Sequence, residues 1–356
     1  MVMVNLEDCC EILDSIRVPI TASKREEGEY PYYGANGVQD YVSEYLFDDE
    51  LVLLAEDGGN FGSKDKPIAY RVSGKCWVNN HAHVLKPNEN MNVDYLCYSL
   101  MFYNVSGMVN GATRKKLTQA AMRKMQIPLR GMEEQLHIVN QLNKICMIIE
   151  LRKQELQRLD DLIKARFVEM FGSIKEERLL GDISEFVTVG IANSATHAYA
   201  ESGIPMLRNQ NIKENYLDDT DIIYIKSEFA TQYESKKLKE NDIIVMRTGY
   251  PGVACLVPKK YEGCQTFTTL IVRLKEDNNS SYVCSYINSD FGKKFIDSEK
   301  VGVAQQNVGA KSLAKMPIKI PPIELQNQFA AFVAEVDKSK VAVQKALDET
   351  QTLFDS

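Results

Sequence analysis

The chain has 356 residues, a formal net charge of −7 and a pI near 5.4, with 26 % of its residues charged. That length allows about two domains, each with a core of its own. An acidic total excludes a nucleic-acid binder that is basic all over; any DNA-facing surface must be a local basic patch that works with partner subunits.

The amino terminus, MVMVNLEDCC, starts acidic with no cationic lead into an apolar stretch, so no signal peptide is expected, and no window is apolar for long enough to span a bilayer. The eight cysteines (Cys9, Cys10, Cys76, Cys97, Cys146, Cys255, Cys264 and Cys284) form no C-x-x-C pair. Buried thiols in a soluble, cytoplasmic protein are the expectation.

Residues 1–130 read as a first globule. Short β-type runs, ELVLL from Glu50 among them, alternate with turn clusters such as Gly34-Ala35-Asn36-Gly37 and Asp57-Gly58-Gly59-Asn60. A short helix is predicted over Asp94 to Phe102.

Residues 131–172 read as one long helix. Met132 to Phe171 contains neither Pro nor Gly, and Gly172 supplies the stop. Two heptad series, Ile138-Ile145-Arg152-Leu159-Arg166 and Leu142-Ile149-Leu156-Ile163-Met170, give a narrow seam that calls for another helix. At about 1.5 Å per residue the rod would run roughly 60 Å.

Residues 173–322 repeat the plan of the first globule, and 323–356 that of the first helix. DIIVM from Asp242 answers ELVLL; Gly263-Cys264 answers Lys75-Cys76 at the start of a β-type run; Ser281-Tyr282-Val283-Cys284 answers Asp94-Tyr95-Leu96-Cys97, with Tyr282 to Phe295 helical. Each globule closes on Lys-Met, an Ile-Pro step and a Gln: Lys124, Met125, Ile127, Pro128 and Gln135, then Lys315, Met316, Ile320, Pro321 and Gln328. The offset moves from 187 (Tyr95 to Tyr282) to 193 (Pro128 to Pro321), as small loop insertions would make it. A repeat this long is a duplicated domain, since solenoid periods are about 20–50 residues. The second helix, Ile323 to Phe354, offers a seam of Leu325, Phe332, Ala346 and Leu353 with Phe329, Val336 and Val343, weak at Ser339 and Thr350. The predicted fold class is α+β: two pseudo-symmetric α/β domains at opposite ends of an antiparallel coiled coil of two long helices.

This doubled plan resembles the specificity subunit of type I restriction–modification systems. The likeness rests on Ile127-Pro128 through Gln135, on Ile320-Pro321-Pro322 through Gln328, and on the polar stretches Gly111-Ala112-Thr113 and Gln305-Gln306-Asn307, and it covers essentially the whole chain. It implies that each globule is a target-recognition domain for one half of a bipartite, interrupted double-stranded DNA sequence, with unlike half-sites because the globules differ. It implies helices that set the gap and dock two methyltransferase subunits, with restriction–translocase subunits completing the complex. S-adenosylmethionine, Mg²⁺ and ATP would then sit on the partners, with no cofactor on this chain. The tail, ending soon after the second helix, departs from the family and bears on any closure of the circle by a tail segment.

Base edges are read by side chains that pair donors with acceptors, and phosphates by cations and small hydroxyls. In the second globule the densest such cluster is Arg208-Asn209-Gln210-Asn211, after a β-type run; Arg247, Thr248 and Tyr250 follow DIIVM, Gln265 and Thr266 lie on the next run, and Gln306 and Asn307 close the set. The first globule offers Tyr32, Tyr33 and Asn36, then Asn79, Asn80 and His81, with Lys64, Arg114, Lys115 and Lys116 suited to phosphate. Of Tyr32 and Tyr33, one is expected in the core. Only about half the residues of any strand can face DNA.

No Asn/Asp-Pro-Pro-aromatic loop, βαβ glycine turn or P-loop is found, and the four histidines (His81, His83, His137 and His197) lack zinc spacing, with His81 and His83 placed on one strand face. The chain by itself is therefore expected not to be an enzyme. Two alternatives stand beside this reading: a metal-dependent endonuclease using Asp221, Glu234 and Lys236, and a coiled-coil protein adaptor that binds no DNA.

Overall fold

The computed structural model describes residues 2–111, 113–192, 196–301 and 306–355. Ala112 and Gln305, named above, lie outside the described residues. The chain divides into two compact units: unit 1 runs to Glu150 and takes up the chain again from Thr350, and unit 2 is Leu151–Glu349.

Unit 1 contains strands β1 (Val2–Asn5), β2 (Cys10–Ile12), β3 (Glu27–Gly34), β4 (Gly37–Val42), β5 (Phe47–Ala55), β6 (Ala69–Val78), β7 (Ala82–Pro87), β8 (Val109–Asn110), β9 (Lys116–Leu117) and β10 (Gln126–Leu129). Six form one sheet in the order β2-β7-β5-β6-β3-β4. ELVLL lies within the central strand β5, whose Leu51 to Ala55 are buried because the sheet is covered on both faces. The run from Trp77 to Pro87 breaks at Asn79-Asn80-His81, which turns the chain from β6 into β7; His81 therefore lies outside the strand that carries His83.

Unit 2 contains β11 (Glu177–Leu179), β12 (Ser184–Val189), β13 (Tyr199–Ala200), β14 (Ile204–Leu207), β15 (Ile212–Lys213), β16 (Tyr216–Leu217), β17 (Ile223–Ile225), β18 (Ile243–Val245), β19 (Ala254–Leu256), β20 (Gln265–Thr266), β21 (Leu270–Leu274) and β22 (Pro317–Lys319). Two four-stranded sheets result, β12-β21-β18-β19 and β13-β17-β14-β20. β14 pairs in parallel with β20, as β3 does with β6, so Arg208–Asn211 leave their sheet where Ala35–Asn36 leave theirs.

The duplication is visible atom by atom. Asn92 caps the helix Val93–Met101 by accepting from the N–H groups of Asp94 and Tyr95, and Asn279 caps Ser280–Asn288 by accepting from Ser281 and Tyr282. Tyr95 Oη donates to the Pro128 carbonyl at 2.9 Å, and Tyr282 Oη to the Lys319 carbonyl at 2.8 Å. Val4 pairs with Ile127 in the β1–β10 ladder, and Arg178 with Ile318 in β11–β22. The partner of Ile127 is thus Ile318, and that of Pro128 is Lys319. The Ile320-Pro321 match read from the sequence is two residues out of register, because an Ile-Pro pair happens to recur just beyond the true equivalents.

The first long helix spans Met132–Phe171 and the second Ile323–Asp355. All ten positions of the first seam are at least half-buried, and Ile149 and Ile163 are buried. In unit 2 the helices run antiparallel: Phe171 and Phe167 each lie against Phe329, at 5.4 and 5.5 Å between ring centres, and Asp160 pairs with Lys340 at 2.5 Å. Gln135, Val139, Phe167 and Phe171 add buried positions outside the seam, since the helix ends pack on sheets as well as on each other. Leu353, expected in the seam, is 62 % exposed; in unit 1 the end of the second helix packs through Phe354, against Tyr98 and Phe102. Tyr282 to Phe295 is split into Ser280–Asn288 and Asp290–Glu299 at Ser289, which caps the second piece. Seven cysteines are buried, and Cys146 is half-buried.

Candidate nucleic-acid interface

In unit 2 the polar turn after β14 folds onto itself. Asn211 is buried: its Oδ1 accepts the Arg208 N–H at 2.9 Å, and its Nδ2 donates to the carbonyls of Asp218 and Asp221 at 3.0 and 3.3 Å. Asn211 shapes the turn and is removed from the base-reading set. Arg208 Nη2 donates to the Asp221 carbonyl and carboxylate at 2.9 and 3.0 Å, and Gln210 Nε2 donates to the same carboxylate.

Asn209 Nδ2 donates to Thr248 Oγ1 at 2.8 Å, and Thr248 forms a β-bridge with Asn307. The Arg247 carbonyl accepts the Val308 N–H at 3.1 Å. The structure therefore gathers Arg208, Asn209, Gln210, Arg247, Thr248 and Asn307, from three loops, at one edge. Gln306 is exposed beside Asn307, and Tyr250 is 78 % exposed on the adjoining turn. Arg208 Nε, Asn209 Oδ1 and Arg247 Nε are buried without a hydrogen-bond partner.

Gln265 and Thr266 are not readers. Both are fully buried: Gln265 Nε2 donates to the Ala230 and Tyr233 carbonyls at 2.9 and 2.8 Å, and Thr266 Oγ1 donates to the Leu207 carbonyl at 3.1 Å. They lock β20 against β14 and its neighbours. Gly252 is required for packing: its φ is +99°, and an Ile296 methyl would lie 2.8 Å from an added Cβ.

In unit 1, Tyr32 is the core tyrosine, 1 % exposed, with Oη accepting the Ile20 N–H at 3.0 Å and Arg25 over its ring. Tyr33 is half-buried against Tyr70. Asn79 is buried, spending Nδ2 on Gln39 Oε1 at 3.1 Å and Oδ1 on the His81 N–H at 2.8 Å, so it forms the β6–β7 turn and is also withdrawn from the readers. What remains at the surface is Asn36, whose Nδ2 donates to the Gly58 carbonyl at 3.1 Å, with Asn80, Lys64 and Lys115, all exposed. Arg114 and His81 share the Asp57 carboxylate at 2.7 and 2.6 Å, and Lys116 pairs with Glu56 at 2.9 Å.

Behind these cations lies a network that sequence spacing missed. His83, 1 % exposed in its side chain, faces Asp14 Oδ2 with Nδ1 at 2.6 Å and the Leu117 carbonyl with Nε2 at 2.9 Å. Burial alone would raise the Asp14 carboxyl, but the hydrogen bond and charge of His83, the Val84 N–H and Arg17 outweigh it and hold the value below the ordinary range. Both His83 nitrogens thus face oxygen acceptors. Glu56 is lowered likewise, burial being outweighed by Lys116, Arg17 and His83. Asp14, Glu56 and His83 bring ligand-type atoms within 4.8 Å of one another, but Arg17 and Lys116 already neutralise the carboxylates. The group is an ion-pair network that ties the segment of Lys116–Leu117 to the sheet.

Each residue of the endonuclease alternative is engaged by a residue outside that set: Asp221 by Arg208, Glu234 by Lys237 at 2.8 Å, and Lys236 by Thr188 at 2.8 Å. Among the described residues no helix is long and apolar enough to cross a membrane.

Comparison with known proteins agrees with this doubled plan. The model of the type I restriction modification DNA specificity domain matches residues 1–161 and again 174–350. A putative type I restriction enzyme specificity subunit of Haemophilus influenzae is 25 % identical over 343 residues, covering 92 % of this chain and 85 % of its own. Among solved structures, a type I restriction–modification S subunit from M. genitalium superposes with a TM-score of 0.56 at 12 % identity, covering 99 % of this chain and 94 % of its own. A second, described as the structural basis of complex assembly and conformational transition of the type I R-M system, gives 0.60 at 14 % identity and the same coverage.

Proposed function

Taking as premise that this chain belongs to the type I restriction modification DNA specificity family, we propose that unit 1 and unit 2 each read one half of an interrupted DNA target. The family consists of recognition subunits, which choose the target for catalytic subunits and work with DNA in complexes with them. The observation that carries the two-part reading is the repeated tether, Asn92 with Tyr95–Pro128 and Asn279 with Tyr282–Lys319, beneath unlike polar edges. Equal mounts under different readers suit an asymmetric sequence.

In this reading the two long helices set the gap and dock two methyltransferase subunits, with restriction subunits joining the full complex in the cytoplasm. S-adenosylmethionine, Mg²⁺ and ATP are bound by those partners. The second half-site is met by Arg208, Asn209, Gln210, Arg247, Thr248, Tyr250, Gln306 and Asn307. The first is met by Tyr33, Asn36, Asn80 and His81, with Lys64, Arg114, Lys115 and Lys116 on phosphates.

The test exchanges residues 1–130 for the first recognition unit of a different specificity subunit and maps methylated bases in host DNA. Change confined to one half of the site is expected; change in both halves refutes separate reading. A methyltransferase complex that stops at equimolar composition would count against the two-mount scheme.

A further inference from the structure

One candidate arginine in each unit, Arg208 in unit 2 and Arg114 in unit 1, is already engaged by a carboxylate. In unit 2 one carboxylate, Asp221, holds Arg208 Nη2 at 3.0 Å and also takes Gln210 Nε2, while the Asp221 carbonyl takes Arg208 Nη2 at 2.9 Å. In unit 1 Asp57 holds Arg114 at 2.7 Å and His81 at 2.6 Å. These pairs lie among the residues assigned to DNA, and a phosphate would compete with an existing anion for either arginine. Arg208 Nε, Asn209 Oδ1 and Arg247 Nε have no protein hydrogen-bond partner in the closed turn, so a rearranged, DNA-bound form has two donors and an acceptor to use.

We propose that Asp221 and Asp57 are specificity-determining residues, each holding the DNA-contacting side chains of its unit in an intramolecular pair that a matched base sequence, but not phosphate alone, displaces. This rests on the DNA-reading function given above. Non-specific binding draws almost wholly on phosphate contacts and counter-ion release. A carboxylate that occupies Arg208 therefore weakens non-specific binding at little expense to a matched site, where base contacts to Asn209 and Arg247 compensate for the broken pair. Asp221 is 69 % exposed in its side chain, so it can turn away without opening the core.

The experiment uses the chain assembled with its methyltransferase subunits, and measures binding to the methylated target and to a scrambled duplex across a salt series. Asp221→Asn keeps the backbone carbonyl and the shape while removing the charge. Affinity for scrambled DNA should rise about three- to tenfold, target affinity should change less than twofold, and the salt slope on scrambled DNA should steepen by about one. Asp221→Glu should restore the discrimination, and Asp57→Asn should repeat the pattern independently. A parallel Arg208→Ala variant separates the outcomes. If Arg208→Ala weakens target binding while Asp221→Asn leaves scrambled-DNA affinity and slope unchanged, the masking role is wrong and the reading of the second half-site stands. If neither variant alters binding to either duplex, both the masking role and the underlying assignment fail. Thermal midpoints of the Asp221 variants, expected within about 2 °C of the parent because the Asp221 side chain is exposed, exclude unfolding as the cause; the Asp57 and Arg208 variants are compared at a temperature where their own midpoints show them folded.

Discussion

Gln135 accepts the backbone N–H of Asn92 at 2.8 Å, although the two are 43 residues apart. The same side chain donates to the carbonyls of Asn90 and Arg130, both at 2.9 Å. In unit 2, Gln326 accepts the Asn279 N–H at 2.9 Å and donates to the Pro321 carbonyl at 2.9 Å. Both glutamines are buried, so each long helix is fastened near its start to the capping residue of a short helix. Gln328, matched to Gln135 by sequence, is exposed; Gln326 is the true counterpart.

Replacing either glutamine by leucine leaves buried backbone groups without partners. Gln135→Leu and Gln326→Leu are each expected to lose about 2–3 kcal/mol of stability, read as a lowered denaturation midpoint. Gln328→Leu, at the exposed position, should stay within about 0.5 kcal/mol of the parent.

Acid should loosen unit 1. Asp14 and Glu56 have carboxyls lowered on folding, burial being outweighed by His83 with Arg17 and by Lys116 with Arg17. A carboxyl lowered in this way adds stability that is complete above its unfolded value, about 4, and is lost as pH falls through the folded value. Unfolding followed from pH 7 to pH 3 should show a fall starting below about pH 4.5. Asp14→Asn should flatten that fall and cost about 3 kcal/mol at neutral pH, because His83 and Arg17 then lose a buried anion.

Phe171 is fully buried where the first long helix ends, against Tyr282 at 4.6 Å and Phe329 at 5.4 Å. Phe171→Ala is expected to destabilise unit 2 by about 3–5 kcal/mol, measured by denaturant unfolding. Phe171→Leu should recover most of that loss.

Arg247→Ala and Asn209→Ala should each weaken binding to the target by about 1–3 kcal/mol and relax discrimination in one half-site only. Lys115→Ala and Lys64→Ala should instead weaken all sequences alike and reduce the salt slope by about one each. Binding of the assembled complex to duplexes varied one base at a time distinguishes the two patterns.

The large elements were legible because periodicity and punctuation are local. An uninterrupted run closed by Gly172 marked the first long helix at both ends, and the apolar runs around Leu51 and Ile244 marked central strands. Side-chain fate was legible less often, since it depends on partners distant in sequence. Gln265 and Thr266 looked like readers because they are polar on a strand, yet parallel pairing of β20 with β14 sends both inward. His83 gave no signal because Asp14 is 69 residues away. The glutamine match failed for a simpler reason: a second Ile-Pro pair two residues on offered a better string and a worse structure.

Seven of the eight cysteines are sealed in the two cores, and burial pushes the thiols of Cys76, Cys97, Cys255 and Cys264 up to about 12. Thiolate is the form that alkylating reagents attack. Cys146, half-buried on the first long helix, is therefore a natural single handle for a fluorophore or spin label. A native chain labelled there would report on events along that rod with no background from the sheets.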